Sequence, residues 1–143
     1  MERFREVTLS GNKNFDWYIF NNSLFIEKKF KCDFKNRVFE FTKEEVLSIL
    51  SFILEEHIVQ LKNDVTKMKC ILDDRSEHFD YCKKGLGPFV YNYSQDNYKS
   101  QSTSQLVAIL TRCNILVWDG KKRNMEFWLS DQYKEETLKL FEK

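Results

Sequence analysis

A single alanine, Ala108, and a single proline, Pro88, stand in a chain of 143 residues that carries thirteen phenylalanines. With so few small side chains, the core has to be filled by Phe, Leu and Ile, packed at the density protein interiors require. The length allows this: a chain of this size buries roughly two-thirds of the surface it exposes when unfolded. It therefore needs neither disulfides nor a metal to hold a core, and residues 1–143 fit one domain. An apolar content of 42% with 31% charged residues excludes disorder. The Phe, Lys, Asn and Ile bias suits an AT-rich coding genome, such as that of a low-GC bacterium or its phage.

The formal net charge is +1, so no whole-molecule field draws the chain to nucleic acid or to a membrane. No stretch reaches the ~18–20 consecutive apolar residues of a membrane span. Met1-Glu2-Arg3-Phe4-Arg5-Glu6 has no apolar signal core behind it, and the expected location is cytoplasmic. In that reducing setting Cys32, Cys70, Cys82 and Cys113, widely and irregularly spaced, are expected as reduced and partly buried thiols.

The pattern predicts an α+β fold: antiparallel hairpins or a meander, packed on one long buried helix plus a C-terminal helix. Residues 1–13 form an arm or edge strand. Residues 15–20 are a strand, Asn21-Asn22-Ser23 a turn, and 24–31 a second strand. A turn at 33–36 leads to a third strand at 37–41. Thr42-Lys43-Glu44-Glu45 is a capping box, with Phe41 and Val46 placed for a hydrophobic staple. Val46, Leu50, Ile53, His57 and Leu61 mark one helical stripe, which Leu47, Leu54 and Ile58 widen. A stripe this broad predicts a deeply packed helix with His57 as a hydrogen-bonded core residue. Val65, Met68 and Leu72 continue the spacing, so the helix runs on or restarts there; the alternative is a strand over 65–72. Residues 73–84 are expected as loop or short helix, Gly85-Leu86-Gly87-Pro88 as a breaker, 89–93 as a strand and 94–102 as an exposed loop. A short helix at 104–112 precedes a hairpin whose strands, 115–118 and 125–129, flank Asp119-Gly120. Ser130 or Asp131 caps a last helix ending at Phe141.

Motifs for chemistry are scarce. Asp73, Asp74, Glu77, His78, Asp80 and Cys82 are the densest set of metal-ligand types, but they lack the paired spacing of a zinc site. They read as a solvated acidic loop balanced by Arg75, Lys83 and Lys84, and no metal or cofactor is assigned. Glu27-x-Lys29 and Asp33-x-Lys35 match the acidic-x-Lys half of a metal-dependent nuclease site, for which Asp16 and Glu40 are the only further acids at hand. In a Lys-rich chain this short pattern also describes the charged face of a sheet. The two histidines, His57 and His78, form no nucleophile signature, and four glycines are too few for a phosphate-cradling loop. No catalytic residue is assigned.

A small metal-dependent enzyme therefore stands as the third reading, behind two binding ones. Lys28, Lys29, Lys31, Lys35 and Arg37 cluster near one turn, and Lys121, Lys122 and Arg123 crowd a hairpin tip. Tyr91, Tyr93 and Tyr98, with Lys99, interleave aromatic and basic groups as a stacking surface for unpaired bases does. Lysines at hairpin tips also serve solubility and edge protection. The favoured reading is protein binding, as an inhibitor, immunity or anti-defence protein that occludes its partner. The first strand offers aromatics on both faces, Phe15 and Trp17 on one, Tyr18 and Phe20 on the other. Trp118 and Trp128 do the same in the last hairpin. Such a sheet needs a second cover, which is either the chain's own helices or a partner, and Trp and Tyr are the residues that anchor interfaces. The partner-binding set is therefore Trp17, Tyr18, Phe20, Trp118 and Trp128.

Overall fold

A computed structural model of the chain describes residues 1–28, 36–63 and 84–143. The fold is α+β. Strands β1 (Phe4–Val7), β2 (Asn14–Phe20), β3 (Ser23–Lys28) and β4 (Arg37–Thr42) form an antiparallel meander in sequence order. A smaller sheet, in the order β5-β7-β6, joins β5 (Val59–Gln60) to the hairpin of β6 (Leu116–Trp118) and β7 (Glu126–Leu129). The described helices are α1 (Lys43–Glu56), α2 (Leu86–Ser94), α3 (Asn97–Gln101), α4 (Thr103–Arg112) and α5 (Tyr133–Phe141).

Local chemistry explains the first half of the chain. Phe20 pairs with Ser23 across a two-residue turn in which Asn21 and Asn22 adopt φ of 49° and 63°. Asparagine tolerates the left-handed region, and a tight turn of this hand matches the twist of its strands. The turn fixes the register, so Tyr18 faces Phe25 and Asp16 faces Glu27. The Thr42 hydroxyl then accepts from the Glu45 amide at 3.0 Å, and the Glu45 carboxylate accepts from the Thr42 amide at 3.3 Å. That is the expected capping box.

Alternation along the strands sorts the large sheet into two faces. Phe15, Trp17, Ile19, Leu24, Ile26 and Phe41 turn inward and are buried, joined by Val46, Ile49, Leu50 and Ile53 of α1. Helix α4 is buried without interruption from Leu106 to Leu110, with the sole alanine, Ala108, in the middle. A helix apolar on all sides belongs inside a core. It touches β1 of one sheet and β6 of the other, while α1 touches β4 and β7.

Several expectations change. The apolar stripe of α1 is narrower than its spacing predicts: Leu47, Leu54 and Ile58 are 44%, 55% and 47% exposed. The helix stops at Glu56, because His57 takes φ +71° and the chain enters β5. His57 is therefore an exposed C-cap and not a core residue. A helix running unbroken to Leu72 is ruled out; whether 65–72 form a restarted helix or a strand lies outside the described residues, as do the turn at 33–35 and the segment 73–83. Gly85-Leu86-Gly87-Pro88 opens a helix, with Gly85 as N-cap. Proline is tolerated there because first-turn amides have no intrahelical acceptor. Residues 89–93 are accordingly helical and not a strand. Residues 97–101 are a short helix rather than loop, since the Asp96 carboxylate caps the amides of Tyr98 and Lys99 at 2.9 and 3.1 Å. Neither Ser130 nor Asp131 caps α5, whose N-cap is Gln132; the Ser130 hydroxyl donates to the Asn114 carbonyl at 2.5 Å instead. Cys113 is a half-buried free thiol, and the other three cysteines lie outside the described residues.

The start of α2 lies so close to the end of β5 that only glycine fits at position 87. Its amide donates to the Leu61 carbonyl at 2.8 Å. A Cβ there would run into the Lys62 carbonyl oxygen and come within 2.9 Å of Asn63 Cα. Backbone cannot rotate away as a side chain can. Gly87→Ala is expected to destabilise the protein by about 1–3 kcal/mol, the usual cost of overpacking, read as a lower urea midpoint.

Candidate interaction surface

The outward residues of the large sheet are Asp16, Tyr18 and Phe20 on β2, Phe25 and Glu27 on β3, and Val38 and Glu40 on β4. Tyr18 and Phe25 stack with ring centroids 5.2 Å apart at 15°. Phe20 and Val38 remain 52% and 51% exposed. An antiparallel sheet with one wet face normally carries polar residues there, so four apolar or aromatic side chains on this face stand out.

Charges border the patch on the β1 side and are satisfied among themselves. The Arg3 guanidinium donates to the Glu27 carboxylate, lies 3.7 Å from Asp16 and sits 5.0 Å over the Tyr18 ring. Arg5 approaches Asp16 at 3.7 Å, and the Asn36 amide donates to Glu27 at 3.1 Å. The hydrogen bond from Arg3, then that from Asn36, hold the Glu27 carboxyl below its ordinary value. Asp16 and Glu27, two acids of the nuclease-like pattern, are thus neighbours engaged with arginine; Lys29, Asp33 and Lys35 lie outside the described residues. Among the described residues, no three of His, Cys, Asp or Glu gather where they could hold a metal ion. The set from Asp73 to Cys82 lies outside them.

The sequence-predicted partner residues divide. Tyr18 and Phe20 belong to the outer face. Trp17 is 3% exposed, stacked on Phe4 at 4.4 Å, and its indole N–H is buried without an acceptor. Its volume serves the core, so it has no free surface to offer. Trp118 and Trp128 are half-buried in the smaller sheet, and the Trp118 indole donates to the Lys121 carbonyl at 3.0 Å. Phe25 and Val38 complete the patch and were missed. The signal was available: once Asn21-Asn22 fixes the turn, Phe25 must lie beside Tyr18.

The basic and aromatic set is also dispersed. Lys28 is buried, donating to the Gln105 side-chain oxygen at 2.9 Å and lying 5.7 Å from the Phe39 ring centroid. Arg37 is exposed and covers the Tyr98 ring at 4.5 Å. Tyr91 is buried. The Tyr93 hydroxyl donates to Glu45 at 2.6 Å, and Lys99 reaches the same carboxylate at 2.5 Å. Burial pushes the Glu45 carboxyl up, but the hydrogen bonds from Lys99, Tyr93 and the Thr42 amide outweigh it and hold the carboxyl below its ordinary value. The same burial, helped by Glu45, raises the Tyr93 phenol. Tyr93 and Tyr98 stay 42% and 41% exposed, but Glu45 engages the Tyr93 hydroxyl and Arg37 covers the Tyr98 ring. Lys31 lies outside the described residues, and Lys121, Lys122 and Arg123 project from the exposed loop between β6 and β7. No described helix is long and apolar enough to cross a membrane.

Comparison of the chain with protein-family models, with curated proteins and with solved structures gives no significant match.

Burial brings the Lys28 ammonium down to about 7, with a further push from Lys13. The unfolded chain then holds a proton that the folded protein lacks between about 7 and the ordinary value of 10.5, so stability rises with pH in that window and the full penalty applies below it. The raised Cys113 thiol works in the opposite direction, but only from its ordinary value of 9 upward. The urea stability of the protein is therefore expected to climb from pH 7 to 8.5, by up to about 1.4 kcal/mol per unit. Lys28→Met should abolish the slope, and a wild-type profile as flat as the variant's would contradict this burial.

Proposed function

We propose that this protein is a non-catalytic binding protein that occludes a protein partner through the outer face of its larger sheet, with Tyr18, Phe20, Phe25 and Val38 as the contact centre. The observation that carries this reading is the pair of more than half-exposed apolar side chains, Phe20 and Val38, beside the Tyr18–Phe25 stack. Contiguous apolar surface rimmed by polar groups marks interaction sites, and aromatic anchors supply much of the energy at protein interfaces. The arginines beside the patch are already paired with Asp16 and Glu27, while the exposed Glu40, opposite Phe25, is a carboxylate that the partner has to meet or leave in water. The inhibitor, immunity or anti-defence class fits such an occluding module and its lack of a nucleophile or phosphate-binding motif. The alternative, an accessory protein that binds nucleic acid, rests on Lys121, Lys122 and Arg123, three exposed cations on one loop.

The test is capture of a partner from native lysate by the wild type, by Phe20→Ser/Val38→Ser and by Lys121→Glu/Lys122→Glu. One dominant protein partner is expected with the wild type and with the lysine variant. The double serine variant should bind it at least tenfold more weakly, in line with the loss of interface anchors worth about 1–2 kcal/mol each. Capture of nucleic acid instead, falling steeply with salt and lost in the lysine variant, would favour the alternative.

A further inference from the structure

Helix α1 carries a second apolar feature, independent of the sheet face. Val46, Ile49, Leu50 and Ile53 enter the core, yet Leu47 and Leu54 repeat after seven residues on the adjoining side and stay 44% and 55% exposed. Two helical turns separate them by about 10.5 Å at 1.5 Å per residue. Across from this ridge, Leu138 of α5 is 56% exposed. Between the ridges lies a trough of about 550 Å³ whose lining includes Leu50 and Thr137, 3% and 2% exposed.

The remaining charged groups on the trough wall are Lys43 and Lys134, and no carboxylate lines it. Neither lysine has an ion pair among the described residues; Lys134 only approaches its neighbour Tyr133, 5.9 Å from the ring centroid. The wall is therefore mostly apolar, broken by Ser51, Thr137 and Tyr133, with positive charge at its rim that no ion pair among the described residues neutralises. A small molecule is a poor occupant, since ligand pockets bury 70–90% of what they bind and these leucine ridges stand half in solvent. Lys43 to Leu54 spans about 16 Å, the length of three helical turns. That suits a helix that lays residues i, i+3 or i+4, and i+7 into a groove.

We infer that the trough between α1 and α5 docks an amphipathic helix of a protein partner, with leucine-type residues filling the trough and carboxylates meeting Lys43 and Lys134. Such a helix brings the charge the trough lacks, and its stripe matches the spacing of Leu47 and Leu54. This site is separate from Tyr18, Phe20, Phe25 and Val38, and either can fail without the other.

The experiment uses two labelled fourteen-residue helical peptides with the same leucine stripe, one flanked by glutamates and one by lysines, titrated with the full chain and read by fluorescence anisotropy. Saturable binding of the glutamate peptide is expected, at least tenfold tighter than the lysine peptide. Leu54→Asp, at an exposed position that leaves the thermal melt unchanged, should weaken it at least tenfold. Lys43→Glu/Lys134→Glu should reverse the preference, and Phe20→Ser should leave binding as it was. No saturable binding, or equal affinity for both peptides, would overturn the inference. So would sedimentation showing a dimer that Leu54→Asp dissolves, because the occupant would then be a second copy of this chain.

Discussion

Two helices that each touch both sheets are the constraint on which the other features depend. Helix α1 packs on β4 of the larger sheet and β7 of the smaller, and α4 packs on β1 and β6. The unbroken burial of Leu106 to Leu110 means that α4 has apolar neighbours on every side. With almost no small residues available, the contact is made by Phe, Leu and Ile side chains interlocking over a distance, and Ala108 sits in the midst of that contact. The inner faces of the sheets are satisfied by these helices. On the outer face of the larger sheet, among the described residues, Phe20 and Val38 remain more than half exposed.

Polar pairs then hold the apolar assembly in register. Arg112 at the end of α4 donates to the Val7 carbonyl and lies 3.4 Å from Glu6, tying that helix to the edge strand. Lys28 reaches Gln105 from the opposite side. Glu45 gathers Thr42, Tyr93 and Lys99, which joins the start of α1 to α2 and α3. A buried polar group left unpaired costs about 1–3 kcal/mol, so these contacts discriminate against alternative packings more than they add to stability. They also consume Lys28, Tyr93 and Lys99, which an unstructured chain would have left free for an external ligand.

How legible this was in the sequence depended on how local the deciding interaction was. The Asn21-Asn22 turn, the Thr42–Glu45 capping box, the 37–41 strand and the 104–112 helix are each set by neighbours within a few residues, and each was readable. The exposed ridge of Leu47 and Leu54 was not, because spacing tells which residues share a side of a helix but not which side meets a neighbour. Residues 89–93 were misread for a related reason: a short run with four apolar or aromatic residues among its five satisfies a strand or a buried helix equally. Gly85 to Pro88 looked like a breaker because a first helical turn tolerates the residues that interrupt a helix interior. Of the candidate surface, Tyr18 and Phe20 were legible from alternation. Trp17 was assigned to binding although the same alternation puts it inward, and Phe25 and Val38 required the register.

Among the described residues, Phe20 and Val38 leave one face of the larger sheet open, while Phe15, Trp17 and Phe41 are sealed on the other. Hydroxyl-radical footprinting of the isolated protein, read residue by residue by mass spectrometry, measures that directly. Tyr18, Phe20 and Phe25 should oxidise much faster than Phe15, Trp17 and Phe41 on the opposite face of the same sheet. Equal protection of both sets would mean that the chain covers the outer face itself, and the case for a partner there would fall.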